Sequence, residues 1–245
     1  DDEAIMTRSD GNPLGRLVLG KGAYRRVTIP EGLTLKEIGS LLEKYGLIRQ
    51  ERFMEEARNP EILSAIGLDG NGAEGYLFPD TYLFLPNVKA KEVVKAMEEN
   101  FRSKISEIEE ELETFGEPLE DVIIMASLLE EEARLFETRQ IVSGILWKRL
   151  EIGMPLQVDA VFPYIIGKNT FEVSLEDLEV DSPYNTYKYA GLPVGPITNP
   201  GLDSIRAAIN PIPSDYLYYL SDGNGEMHYA ATFEQHKQNK FRYLR

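Results

Sequence analysis

The chain has 245 residues, 42% hydrophobic and 27% charged, with a net charge of −15 and no cysteine. That length allows one large domain or two modest ones, each with its own core. The acidic balance argues against a nucleic-acid binder, which needs a basic face for phosphates, and the missing cysteines exclude disulfides, thiolate nucleophiles and cysteine-bound metal.

No apolar run approaches the ~20 residues that cross a bilayer. Beginning at Asp1 rather than Met, the chain reads as a mature or trimmed form. Residues 1–14 read as a disordered tail, followed by a short strand around Leu17–Leu19. Arg26-Val27-Thr28-Ile29 alternates like a strand and stops at Pro30-Glu31-Gly32. Thr34 and Glu37 have capping-box spacing and open a helix with Leu35, Ile38, Leu41 and Leu42 on one face, ending near Gly46. A second short helix covers about residues 50–58. The aromatic segment Glu74–Tyr82 suits extended, partly buried chain. Residues 89–115 read as one amphipathic helix, with Val93, Met97, Phe101, Ile105, Ile108 and Leu112 on its apolar stripe. Helices follow at about 118–134 and 137–151, then a loop-rich stretch over 156–200 with a short helix opening at Ser174. One more helix lies near Leu202–Ile209. Tyr216–Leu220 and Met227–Ala231 flank Asp222-Gly223-Asn224-Gly225 as a hairpin, and Thr232 with Gln235 caps a last helix. Strands and helices mix without regular alternation, so the fold class is α+β.

The chain lacks phosphate-loop, dinucleotide and nucleophile-elbow motifs. Its two histidines, His228 and His236, lack zinc-site spacing and read as hairpin or surface residues. Carboxylates are left as the catalytic candidates. The helix segment Met125–Arg134 is apolar until Glu130, Glu131 and Glu132 arrive together. At ~100° per residue, Glu131 points to solvent and Glu130 and Glu132 flank the buried stripe. Either flank could line a cleft where burial raises a carboxyl pKa, and periodicity does not choose between them. Gln157 and Asp159, and the block Ser182-Pro183-Tyr184-Asn185-Thr186-Tyr187, offer neutral hydrogen-bonding groups and flat rings that suit sugars. The same residues are ordinary turn formers.

Six segments, in order over about residues 27–240, resemble the YceG-like endolytic murein transglycosylases, a group of cell-wall lytic transglycosylases. They are Glu74–Tyr82, Ala126-Ser127 through Glu132, Leu156-Gln157 with Asp159, Ser182–Tyr187, the run Gly191-Leu192-Pro193 to Asn199-Pro200-Gly201, and Tyr216-Leu217-Tyr218 with Asp222-Gly223. That family's helix motif has Ala-Ser followed by Glu-x-Glu with the second Glu catalytic, which maps onto Glu132 and leaves Glu130 a supporting acid. The resemblance implies a catalytic domain over 67–245, preceded by a partial LysM-like subdomain and linker helix over 15–66. It implies cleavage between N-acetylmuramic acid and N-acetylglucosamine with 1,6-anhydro ends. Glu132 would be the single acid/base; Glu74, Gln157, Asp159, Tyr184, Asn185 and Thr186 would bind substrate, and no metal or cofactor would be needed. Peptidoglycan strands are the implied partner, with cell-wall synthases of elongation or division beside them and no nucleic acid. The implied location is the outer face of the bacterial inner membrane, reached through an N-terminal anchor that this chain does not contain. Val158 and Val161 depart from the family, which commonly has a small hydroxyl residue and Thr there. Two other readings stay open. One is a hydrolytic muramidase pairing Glu132 with Asp159 or Glu74; the other is a non-catalytic glycan-binding scaffold. A pyridoxal-phosphate lyase is disfavoured because no Lys sits in a recognisable cofactor setting.

Overall fold

The computed structural model describes residues 5–7, 24–65, 67 and 72–244. The expected tail and the strand at Leu17–Leu19 lie outside those residues, apart from Ile5–Thr7. The chain forms two compact units, Asp1–Glu109 with Thr198–Gly201, and Glu110–Ile197 with Leu202–Arg245. The overall class is the expected α+β, with short antiparallel strands and many helices.

In the first unit, β1 (Ile5–Thr7), β2 (Arg25–Thr28) and β3 (Thr81–Phe84) make an antiparallel sheet of order β1-β3-β2. Val27 pairs with Tyr82 in the register, and both are fully buried. Helix α1 (Leu35–Lys44) starts where Thr34 and Glu37 cap one another reciprocally: the Glu37 amide donates to Thr34 Oγ1 at 3.2 Å and the Thr34 amide to Glu37 Oε2 at 2.9 Å. Helices α2 (Gln50–Glu56), α3 (Pro60–Ala65) and α4 (Ala90–Ser106) follow. Ile38, Leu42, Phe53, Leu77 and Met97 meet in the core of this unit.

Asn199 ties the first unit's irregular segments together. Its Oδ1 accepts from the Gly75 and Leu77 amides, both at 3.0 Å. Its Nδ2 donates to Leu33 O at 2.9 Å and to Glu74 Oε1 at 2.8 Å. Its backbone pairs with Gly32 and Leu33. Every polar group of that side chain is therefore used to satisfy chain that has no ladder of its own.

In the second unit, α5 (Glu109–Phe115), α6 (Leu119–Glu132), α7 (Phe136–Glu151), α8 (Val161–Ile166) and α9 (Leu202–Ile209) precede the hairpin of β4 (Tyr218–Ser221) and β5 (Met227–Ala230). Helix α10 (Phe233–Tyr243) closes the chain. The Thr232/Gln235 cap on α10 is present as expected. Val122–Leu129 of α6 are all buried, so this helix is enclosed by its neighbours rather than lying on a surface. Trp147 of α7 donates its indole N–H to Ala208 O at 2.9 Å, and the edge of Phe115 meets its ring at 5.5 Å.

The expected helix over 89–115 is two helices, broken between Ser106 and Glu109. Glu107, Glu109, Glu110 and Glu111 crowd negative charge at the end of α4, where the helix dipole is already negative and the Glu107/Glu111 spacing is repulsive. Helices α3 and α8 were not foreseen. The helix expected from Ser174 reduces to a 3-10 turn at Asp177–Glu179.

Residues 210–214 lie directly on α7. Ile212 donates to Gln140 O at 2.9 Å, and Lys148 Nζ to Ser214 O at 2.9 Å. The approach is close at Gly144, where an added Cβ would stand 2.2 Å from Ile212 O. Gly144→Ala therefore has to displace hydrogen-bonded backbone. We expect a loss of about 1–3 kcal/mol, seen in thermal denaturation as a drop of about 2–4 °C per kcal/mol. An unchanged melting temperature would show that the 210–214 segment yields freely.

Candidate active site

The three adjacent glutamates at the end of α6 have different fates. Glu130 pairs with Arg139 Nη2 at 2.6 Å, and both side chains are almost fully buried. Arg139 Nε also donates to Ala133 O at 2.7 Å, so this ion pair fastens the start of α7 to the end of α6. Glu131 is exposed. Glu132 turns the other way and accepts hydrogen bonds from the Tyr219 hydroxyl and the Ala160 amide. Its side chain is half-buried.

Burial pushes the Glu132 carboxyl up to about 7. The Tyr219 hydrogen bond works against burial, the charge of Asp159 works with it, the Ala160 amide opposes it, and Glu131 adds a little. A group held there is protonated in a large fraction of molecules at neutral pH and can give or take a proton with little driving force. Tyr219 itself is pushed well above its usual range, first by burial and then by the Glu132 charge. It therefore stays a neutral donor.

The turn from Pro155 to Ala160 supplies the other side. Gln157 has φ 51°, the one positive φ outside glycine among the described residues, and an L residue held there carries backbone strain. Several bonds hold the turn. The Gln157 amide donates to Thr186 O at 3.1 Å, and the Val158 amide to Thr186 Oγ1 at 3.0 Å. Asp159 accepts from the Tyr187 hydroxyl. Burial, and then that bond, hold the Tyr187 phenol well above its usual range. The side chains of Gln157 and Asp159 are exposed. The Tyr184 ring packs on Tyr164 at 4.9 Å.

Asn185 and Thr186, expected as sugar-binding groups, lie inside the loop. Both are buried. Asn185 Nδ2 donates to Leu178 O and Val180 O, and its Oδ1 accepts from the Tyr187 and Lys188 amides. Thr186 Oγ1 is taken up by Val158. Their polar atoms build the loop: the Asn185 amide uses all its donors and lone pairs there, and the Thr186 hydroxyl both accepts from and donates to Val158. Glu74 has structural partners of its own. It belongs to the first unit, where it accepts the Leu35 amide at the N-terminus of α1, at 2.9 and 3.2 Å, along with Asn199 Nδ2. Burial pushes its carboxyl up to about 8, against those two hydrogen bonds.

Two residues at the site received no role from the sequence. Tyr219 was read only as a strand residue. Arg149 follows Val142, Ile145 and Leu146 on the buried stripe of α7, and a cation on such a stripe was the available signal. Among the described residues, Asp222, Glu226 and His228 bring potential metal-ligand atoms within 4.8 Å of one another. Asp222 is already engaged there with the His228 ring and with the Glu226 and Asn224 amides of the hairpin turn.

Two titrations follow from these contacts. Tyr219→Phe removes a bond that favours the carboxylate, so Glu132 should titrate above about 7 in carbon-13 NMR; no upward movement would mean the phenol does not act on it. Glu74 is a carboxyl whose folded pKa is raised above its unfolded value. The stability this contributes is full below about 4.5 and is lost as pH rises through about 8. Melting curves at pH 6 and pH 9 should therefore differ less in Glu74→Gln than in the parent, and an equal difference in both would remove Glu74 as the cause.

The YceG-like family model matches residues 9–242. A Bacillus subtilis (strain 168) protein named endolytic murein transglycosylase is 34% identical over 245 residues, covering 94% of this chain and 68% of its own length. A Streptococcus pneumoniae (D39) protein of the same name is 32% identical over 243 residues, covering 87% of this chain. This chain spans only 43% of that relative's length. The crystal structure of a YceG-like protein from Listeria monocytogenes matches with a TM-score of 0.81 at 31% identity, over 87% of this chain and 75% of that one. On the extent of these matches, the chain belongs to the YceG-like family.

Proposed function

We propose that this chain is an endolytic lytic transglycosylase of bacterial peptidoglycan, with Glu132 as its single acid/base. The observation that carries the reading is the state of Glu132: a shielded carboxyl held at about 7 and flanked by two hydrogen-bond donors. The names of the relatives from B. subtilis and S. pneumoniae support the substrate class.

In this scheme protonated Glu132 gives its proton to the oxygen joining N-acetylmuramic acid to the departing N-acetylglucosamine. The C1–O bond breaks, and an oxocarbenium-like centre develops at C1. The Glu132 carboxylate then takes the proton of the muramic acid's own 6-hydroxyl, and O6 closes onto C1. The proton borrowed is returned, no water enters, and the product ends in a 1,6-anhydro ring. An internal nucleophile has a large effective concentration over water. Gln157, Asp159 and Tyr184 are the proposed sugar contacts; Asn185 and Thr186 act by fixing the loop that presents them. The LysM-like role of residues 15–66 and the catalytic role of 67–245 belong to the same proposal. So do a place outside the cytoplasmic membrane, an N-terminal anchor and cell-wall synthases as partners. No helix among the described residues is long and apolar enough to cross a membrane.

Digestion of purified peptidoglycan, with mass spectrometry of the products, tests the reading. The parent should release fragments with anhydro ends. Its rate should fall as pH rises through about 7, because Glu132 must begin protonated. Glu132→Gln should lower release about a hundredfold or more while keeping the fold. Products heavier by one water would instead establish a hydrolase using a second carboxylate such as Asp159. Binding without release by the parent would establish a glycan-binding module.

A further inference from the structure

We propose that Arg149 is the positioning residue of this site, a buried guanidinium that locks the turn carrying Gln157 and Asp159 against the strand carrying Tyr219. The proposal rests on the reading of Glu132 as the acid/base and extends it to what holds Glu132's partners.

Arg149 is 5% exposed and lies near the end of α7. Its Nε donates to Leu217 O at 2.6 Å, two residues before Tyr219. Its Nη1 donates to Leu156 O at 2.7 Å and to Pro155 O at 3.2 Å, at the start of the turn. The guanidinium carbon sits 5.1 Å from the centre of the Tyr218 ring. A buried cation is costly unless dipoles or counter-charges surround it. Here the compensation comes from three carbonyls and a ring face, so the charge is spent on holding backbone. The planar fork sets the angle between its two arms, which an aliphatic side chain or an ammonium does not do.

Both arms end next to groups that touch the reacting carboxyl. Tyr219, beyond Leu217, donates to Glu132, as does the Ala160 amide at the far end of the turn; Asp159 lies beside Glu132 and accepts from Tyr187. The groups that face Glu132 electrostatically are Tyr219, Asp159 and Glu131. The positive charge of Arg149 is felt at the Tyr187 and Tyr219 phenols, where it offsets part of the burial. It strengthens both phenols as donors. Losing Arg149 thus loosens two bonds that favour the Glu132 carboxylate and removes a charge from the phenols.

Arg149→Lys and Arg149→Met test this with two readouts. The first is steady-state cleavage of peptidoglycan strands. The second is the carbon-13 titration of Glu132, assigned by its disappearance in Glu132→Gln. We expect kcat about tenfold lower in the Lys variant and about a hundredfold lower in the Met variant, with KM within about twofold. In both, Glu132 should titrate higher than in the parent. If Arg149→Met fails to fold, Arg149→Lys, which keeps charge and stem but not the fork, decides the matter. A folded Lys variant with parental kcat and parental Glu132 titration would overturn the proposal. So would a rate loss matching only the unfolded fraction, with the titration unmoved in the folded molecules. The NMR arm needs no turnover: a parent that releases no anhydro fragments defeats the transglycosylase reading, while the titration still decides the place of Arg149.

Discussion

Withdrawing a carboxyl from water raises its affinity for a proton, and α6 places Glu132 where this happens. Its residues from Val122 to Leu129 are buried on every face, so the helix delivers Glu132 from inside the second unit rather than from its surface. Burial pushes the group up. The Tyr219 hydroxyl and the Ala160 amide pull back toward the charged form, and the balance of these opposed effects leaves the carboxyl at about 7. Both donors come from segments distant in sequence, so the proton affinity of one side chain depends on how the hairpin and the Pro155–Ala160 turn are seated.

The first unit uses a carboxyl differently. Glu74 is buried and raised like Glu132, yet its lone pairs are spent on the first amide of α1 and on Asn199. A shifted pKa by itself therefore does not mark chemistry. The two differ in what surrounds them: Glu74 is held by the Leu35 amide and Asn199, whereas Glu132 meets the Tyr219 hydroxyl, the Ala160 amide and the charge of Asp159, whose own side chain is exposed.

Much of the fold was legible because local chemistry set it. The Thr34/Glu37 and Thr232/Gln235 boxes marked helix starts, and Asp222-Gly223-Asn224-Gly225 marked the hairpin. The break inside 89–115 was missed because the apolar stripe runs on while the acidic run works against one continuous helix. At the site, periodicity put Glu130 and Glu132 on two flanks and could go no further. What distinguishes them is tertiary: Arg139 reaches one, and Tyr219 reaches the other. Asn185 and Thr186 were equally readable as sugar contacts or turn formers, and their hydrogen bonds follow the turn reading. Arg149 was passed over because a charged residue in a helix usually ends in water, and only converging carbonyls make it a core residue.

The chain contains one tryptophan, and it lies in the second unit, wedged between Phe115 and the Ala208 carbonyl. Its fluorescence is thus a private signal of α7 and α9. Far-ultraviolet dichroism, by contrast, averages over helices of both units. Following the two optical signals through one denaturant series distinguishes a chain that melts as a whole from one whose halves let go separately.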